Sequence, residues 1–242
     1  MTDPGMREEG IEGVALVTGG TGGLGQAVVA ELLDAGAQVV APWLVEKERE
    51  GLESALGDRD GLTLVEANLL EDGAETAVAA AKEKGRLAAL VNLVGGFAAG
   101  DRIHETDPEV FEKQMALNLT TALNASRAAI PELLAGGGGA IVCVGTKVAF
   151  QPFSGGAAYA ISKSAVLALV RSLDVEYRDD GIRANAIVPN IIDTPANRES
   201  QPDADYSKWV QPAEIARVIR FLCSQDSKPV TGSAIPVYGQ TG

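Results

Sequence analysis

The sequence predicts a single α/β domain, a doubly wound and mainly parallel sheet with helices on both faces. Three observations predict it. Short apolar runs rich in β-branched residues alternate with alanine- and leucine-rich helical stretches along the whole chain. The first run, Val14 to Val17, leads through the glycine-dense turn Thr18-Gly19-Gly20-Thr21-Gly22-Gly23-Leu24-Gly25 into a helical pattern over Gln26 to Ala35. No composition break, repeat or low-complexity tract divides the 242 residues. Strands that alternate with helices are joined by crossovers, which makes neighbouring strands parallel.

Glycines at 19, 23 and 25 let the backbone turn tightly and approach a ligand closely, where any Cβ would obstruct it. The amide hydrogens that open the following helix favour an anion such as pyrophosphate. Strand, glycine turn and helix together predict a Rossmann-type dinucleotide site. The glycine spacing is one residue longer than the usual G-x-G-x-x-G, and a purely structural tight turn is the competing reading.

The remaining elements follow in order. Ala37 to Pro42 predicts a second strand, Glu46 to Ala55 a charged helix and Leu62 to Glu66 a third strand. Ala74 to Lys84 reads as an alanine helix stopped by Gly85, and Leu87 to Leu93 as a fourth strand. Pro108 to Leu134 carries a long helical pattern interrupted near Pro131. Ala140 to Val144 predicts a fifth strand after the four-glycine loop 136–139, Tyr159 to Tyr177 a long helix and Arg183 to Val188 a sixth strand. Ala213 to Ser224 predicts the last helix and Ala234 to Val237 the last strand. Residues 1–12 read as a flexible tail and 13–242 as the domain. The segment 195–212, with its prolines and acidic residues, reads as a lid loop beyond the sixth strand.

Composition narrows the function. A 46% hydrophobic and 22% charged chain is an ordinary globular protein. Its formal charge of −13 argues against a nucleic-acid backbone or an anionic membrane as partner, because both attract a basic face. No apolar run approaches the roughly 20 residues of a membrane span. The acidic start, without an apolar core, does not read as a signal peptide, so cytoplasm is the expected location. Cys143 and Cys223 lack paired spacing and read as small buried thiols. His104, the single histidine, has no ligand-spaced partners, so no metal site is predicted.

Tyr159-Ala-Ile-Ser-Lys163 opens the long helix. Positions i and i+4 share a helix face, which brings a phenol and an ammonium to one site. The ammonium favours phenolate and lowers the tyrosine pKa from about 10. A tyrosine tuned in this way exchanges a proton with a carbonyl or alcohol oxygen. Phe97, Phe150, Phe153, Tyr206 and Trp209 fall on loops expected to ring the cleft and suggest a partly apolar substrate pocket, with Phe97 and Phe153 as substrate contacts.

With these motifs in this order, the chain resembles the short-chain dehydrogenase/reductase family from about Val14 to Gly239. Thr18-Gly19-x-x-x-Gly23-x-Gly25 is similar to its cofactor turn and accounts for the longer glycine spacing. Asn92-Leu93-Val94-Gly95 stands where the family has Asn-Asn-Ala-Gly, and Asn118 matches the asparagine of its proton relay. Pro189-Asn190-Ile191-Ile192-Asp193-Thr194 resembles Pro-Gly-x-x-x-Thr, whose threonine holds the nicotinamide carboxamide. The resemblance implies an NAD(P)-dependent oxidoreductase that passes hydride between nicotinamide and a carbonyl or secondary alcohol. It implies that Tyr159 is the general acid, that Thr146 orients the substrate oxygen, and that Lys163 lowers the tyrosine pKa and holds the nicotinamide ribose. Asn118 would anchor a water linking Lys163 to solvent. Further cofactor contacts are implied at Thr21, Gly22, Leu24, Leu69, Asn92, Val94, Gly95, Pro189, Ile192 and Thr194. The family's oligomers imply a homodimer or homotetramer through the two long helices.

Four positions depart from the family pattern. Thr146 stands in place of the serine thirteen residues before the tyrosine, keeping the hydroxyl and adding a methyl. Asn190 replaces the glycine of Pro-Gly, and asparagine tolerates a left-handed turn. Asn68 replaces an aspartate beside the adenine. Trp43 occupies the end of the second strand, where an acidic residue would select NAD and a basic one NADP. Lys47 and Arg49 stand near a 2′-phosphate, but Glu46 and Glu48 lie among them, so NAD and NADP both remain open. The alternatives are a non-catalytic dinucleotide sensor or scaffold, and a pteridine reductase or dehydratase of the same fold.

Overall fold

A computed structural model of the chain describes residues 10–240. The expected tail lies for its first nine residues outside the described residues. Seven strands form one parallel sheet: β1 (Val14–Thr18), β2 (Gln38–Trp43), β3 (Leu62–Glu66), β4 (Leu87–Asn92), β5 (Gly139–Val144), β6 (Ile182–Pro189) and β7 (Ala234–Val237). Their order is β3-β2-β1-β4-β5-β6-β7. The chain winds outward from β1 to β3, returns to the middle at β4 and winds outward again. The strand order therefore reverses between β1 and β4, and the crevice outside their carboxyl ends is where a sheet of this type takes a ligand.

The helices are α1 (Gly25–Asp34), α2 (Glu46–Leu56), α3 (Gly73–Lys84), α4 (Pro108–Met115), α5 (Thr121–Ala135), α6 (Ala157–Tyr177), α7 (Pro195–Ser200) and α8 (Pro212–Cys223). They cover both faces, and β1 shows why. Side chains alternate across a strand, so Ala15 and Val17 join the core under α1 and α8, while Val14 and Leu16 join the core under α3, α5 and α6. A strand buried on both sides carries no polar alternation, which is what the run Val14–Val17 presents. Capping fixes the helix starts. Asp107 accepts from the Glu109 amide ahead of α4, and the Gln211 amide donates to Glu214 ahead of α8; proline follows each cap.

Two expectations about helices are corrected. The long pattern over 108–134 is interrupted at Asn118 rather than at Pro131. Residues Ala116–Thr120 form a π-helical turn between α4 and α5, whereas Pro131 lies inside a continuous α5. The inserted turn points Asn118 into the protein, where it is buried, and the polar bonds it makes there hold the irregular backbone. The segment 195–212, expected as a loop, contains α7 and a 3₁₀ turn over Tyr206–Lys208. Cys143 and Cys223 are free and buried, as expected, and burial pushes their thiols up to about 11 and about 12.

Gly25 is the position least able to carry a side chain. A Cβ there would stand 2.1 Å from the Gly19 carbonyl oxygen, inside the turn itself. Gly25→Ala is expected to lower stability by about 3 kcal/mol, the upper range for overpacking. Urea denaturation followed by circular dichroism checks this; a midpoint equal to wild type would mean that the turn rearranges freely.

Candidate active site

The glycine turn and the chain leaving β4 meet backbone to backbone. Gly19 has φ +69°, and a Cβ on it would lie 2.8 Å from the Val94 nitrogen. Beside this contact opens a cleft of about 320 Å³, lined along one wall by Thr21, Trp43 and Glu48 and along the other by Asn68, Val94 and Leu117. Gly19, Gly22, Leu69 and Gly95 also line it. The cleft thus gathers eight of the cofactor positions expected from the sequence. Gly23 packs against the Thr194 side chain, with an ideal Cβ 3.1 Å from its Cγ2, so the base of the lid segment touches the turn. Leu24 instead packs on the core. Asn92 lies beneath the cleft rather than in its wall: Thr18 donates to its Oδ1 at 3.3 Å, and its Nδ2 donates to Ser126 at 3.3 Å. It bolts β1 to α5. Among the described residues no non-glycine residue has positive φ, so Asn190 turns the chain after β6 without a left-handed backbone.

These residues fit a dinucleotide. The cradle is one that side chains would fill: a Cβ at Gly95 would stand 2.7 Å from Asn118 Oδ1 and 3.0 Å from Lys163 Nζ. The slot between Trp43 and Asn68 offers an aromatic plane and an amide to a flat base. Asn68 Oδ1 accepts from the Leu70 amide at 3.1 Å, which sets the orientation of that amide group.

Thr146, Tyr159, Lys163 and Asn118 are brought to one place. Thr146 is buried, and its hydroxyl accepts from the Val148 amide at 3.3 Å and lies near enough to Tyr159 to act on its phenol. Lys163 is buried under the cleft, and its ammonium donates to the Val144 carbonyl at 3.0 Å. Asn118 holds the loop after β4 from both sides: Oδ1 accepts from the Gly96 amide and Nδ2 donates to the Gly96 carbonyl, both at 3.0 Å. Nδ2 also reaches the Ser162 hydroxyl at 3.0 Å, which in turn donates to the Tyr159 carbonyl. Ser162, Gln114 and Gly96 in this network were not expected from the sequence. The i+4 spacing of Gln114 and Asn118 was the available signal.

The electrostatics differ from the expectation for Tyr159. Burial raises the phenol above its ordinary value, and the Thr146 hydroxyl works against that rise. Desolvation lowers Lys163 itself to about 8, while neighbouring Cys143 acts in the opposite direction. Phe97 meets the Tyr159 ring edge to face, with centroids 4.9 Å apart, and Phe153 lies over the start of α6 at Gly156. Trp209 does not ring the cleft. It is buried against Tyr206, whose hydroxyl reaches the Gln201 and Pro202 carbonyls.

Asp193 ties the lid base together. Its carboxylate accepts from Arg198 at 2.5 and 2.7 Å and from Gln211 at 2.8 Å. The Arg198 hydrogen bond, with that from Gln211, holds its pKa down to about 2. The backbone repeats the tie, since Asp193 donates to Val210 and Val210 to Ile191. Among the described residues no helix is long and apolar enough to cross a membrane.

Comparison with known proteins agrees with this geometry. The family model described as short chain dehydrogenase matches residues 13–205. The 2,5-dichloro-2,5-cyclohexadiene-1,4-diol dehydrogenase LinX of Sphingobium indicum is 33% identical, over 93% of this chain and 94% of its own. The 2-(R)-hydroxypropyl-CoM dehydrogenase of Xanthobacter autotrophicus is also 33% identical, over 93% of this chain and 97% of its own. An NADPH-bound short-chain oxidoreductase of Pseudomonas aeruginosa with an atypical catalytic centre superposes with a TM-score of 0.88 at 29% identity, covering 97% of this chain and 98% of that one. The glycine cradle, the parallel sheet that carries it and the relatives at full length lead to one statement: this chain belongs to the short-chain dehydrogenase family and is an oxidoreductase that uses NAD or NADP to interconvert CH–OH and C=O.

Proposed function

We propose that this enzyme oxidises a small secondary alcohol, or reduces the matching ketone, with Tyr159 as the proton-transferring residue. The observation that carries this reading is that Thr146 and Tyr159, the one buried and the other largely so, lie close enough for the Thr146 hydroxyl to moderate the rise of the phenol. Two hydroxyls placed side by side can both turn to one substrate oxygen, each as donor or acceptor. Tyr159 gives that oxygen a proton in reduction and takes it back in oxidation. Thr146 orients the oxygen, and its β-branch stiffens χ1 and holds the hydroxyl in place. Lys163 supplies positive charge behind the phenol, and Asn118 fixes the loop over which the substrate enters. A bound nicotinamide cofactor would supply or accept the hydride.

The substrate is proposed to be partly apolar. The Phe97 edge on Tyr159 and the exposed rings of Phe150 and Phe153 support that choice. LinX and the hydroxypropyl-CoM dehydrogenase are both named for oxidising an alcohol, which favours the alcohol direction. We further propose a single domain with a closing lid over 195–212, a cytoplasmic location, and a homodimer or homotetramer built on the α4–α5 and α6 faces. Val110, Phe111 and Val175, exposed on those helices, support the assembly.

Tyr159→Phe is expected to lower turnover by about 10²–10⁴-fold while NAD(H) or NADP(H) binding is kept. Thr146→Ala is expected to lose roughly 100-fold, whereas Thr146→Ser keeps activity near wild type. Steady-state kinetics beside equilibrium binding checks both. A Tyr159→Phe enzyme with unchanged kcat would end the acid–base assignment and reopen the reading as a sensor.

Lys163 carries a stability prediction whose sign follows from its depressed pKa. Between pH 8 and its ordinary value of about 10.5 the unfolded chain holds a proton on Lys163 that the folded chain does not. Its burial therefore destabilises the fold most below pH 8, and the penalty fades as pH rises. Urea midpoints at pH 7 and about 9.5 are expected to show wild type gaining on Lys163→Met, by on the order of 2 kcal/mol. Parallel pH profiles for the two proteins would show that the ammonium is not desolvated.

A further inference from the structure

Trp43 occupies the family's cofactor-selecting position and carries no charge, so the choice between NAD and NADP has to come from another residue. The cleft contains one. Among its described lining residues the only charged side chain is Glu48, which reaches in from α2, and no lysine or arginine lines it. Thr21, in the glycine turn, donates to Glu48 Oε2 at 3.2 Å. That bond holds the carboxylate over the turn, between Trp43 and the start of the phosphate cradle.

Of the two basic residues that flank Glu48 in sequence, Arg49 is already occupied. Arg49, the next residue on α2, donates to both carboxylate oxygens of Glu53 at 2.6 Å and also to Glu46. Its guanidinium lies 5.4 Å from the centre of the Trp43 ring, on a carboxylate-flanked perch. An arginine with two carboxylates of its own has little attraction left for a phosphate. Arg49 is thus neutralised by its own carboxylates, and the Glu48 carboxylate, with no cation beside it among the described lining residues, faces the cleft.

We propose that Glu48 makes the enzyme selective for NAD(H) over NADP(H), accepting from ribose hydroxyls and repelling a 2′-phosphate. The proposal rests on the dinucleotide reading of the cleft. A carboxylate is an acceptor only, so a vicinal diol satisfies it. A phosphate dianion at the same place faces like charge and has no cation among the described lining residues to compensate. The selectivity comes from α2, five residues beyond the strand end, and leaves the strand end free for the indole.

Tryptophan fluorescence and calorimetric titration of the wild-type protein and of Glu48→Gln with NADH and NADPH test it. Wild type is expected to bind NADH at least about tenfold more tightly than NADPH. Glu48→Gln is expected to close most of that gap by improving NADPH binding. High salt is expected to narrow the gap in wild type and to leave the variant almost unchanged, as screening of a like-charge contact requires. Equal or tighter binding of NADPH by wild type overturns the proposal, as does a Glu48→Gln variant with the wild-type ratio. Those results leave the dinucleotide reading intact. Binding of neither nucleotide by a protein with native circular dichroism overturns that reading and the proposal with it.

Discussion

The structure depends on two backbones meeting without side chains between them. At the point where the strand order reverses, the turn after β1 lies against the chain leaving β4, and the Gly19 position has a backbone nitrogen 2.8 Å from where its Cβ would be. Gly25 is still tighter, because its missing Cβ would enter the turn. Any side chain there would push α1 off the sheet or lift the turn away from β4. Each displacement would separate the glycine turn from α6. The contact fixes the distance between Gly95, on the β4 side, and Lys163 beneath it, and thereby the depth of the site.

Asn118 performs the matching task on the other side of the cleft. Its amide is buried and bonded to both polar groups of Gly96 and to Ser162. A buried amide left unpaired costs about 1–3 kcal/mol, so an arrangement that satisfies all its groups is strongly preferred over near alternatives. The π-helical turn is the backbone adjustment that allows this arrangement. One extra residue in the turn brings Asn118 inward toward Gly96 and also keeps Gln114 within reach of it. Local irregularity and polar satisfaction are therefore one feature, located where the chain leaves β4.

The fold was legible because its signals are periodic and local. The apolar runs of β1, β3 and β7, the stop at Gly85 and the alternation of strand with helix need only neighbouring residues to be read. The interruption in 108–134 was placed wrongly because proline is visible in sequence, whereas the polar contacts that hold a π turn come from residues far along the chain. Pro131 stays helical since its neighbours Ala129, Ile130 and Leu133 are buried, and that packing outweighs the bond it lacks. At the site, Tyr159, Lys163, Thr146 and Asn118 were found by spacing and resemblance. Glu48 was seen only as one charge among several. Its place depends on the hand and tilt of α2 over the glycine turn, which no spacing records. Trp209 failed as a rim residue for a related reason, because the lid folds back on itself around Tyr206 instead of staying extended.

Tyr159 and Lys163 show how burial and catalysis pull against each other in this protein. Desolvation drives both toward their neutral forms, raising the phenol and lowering the ammonium to about 8. In this geometry Lys163 is directed at the Val144 carbonyl. Charge brought to the Gly95 side of the pair would change that balance, because Lys163 Nζ is 3.0 Å from the space a Gly95 side chain would take. Gly95 keeps that space open. The same absence of a Cβ that lets a ligand reach the lysine also leaves the ammonium with a backbone carbonyl as its main partner until one arrives. The protein carries the cost of that burial in a lysine whose pKa is lowered to about 8.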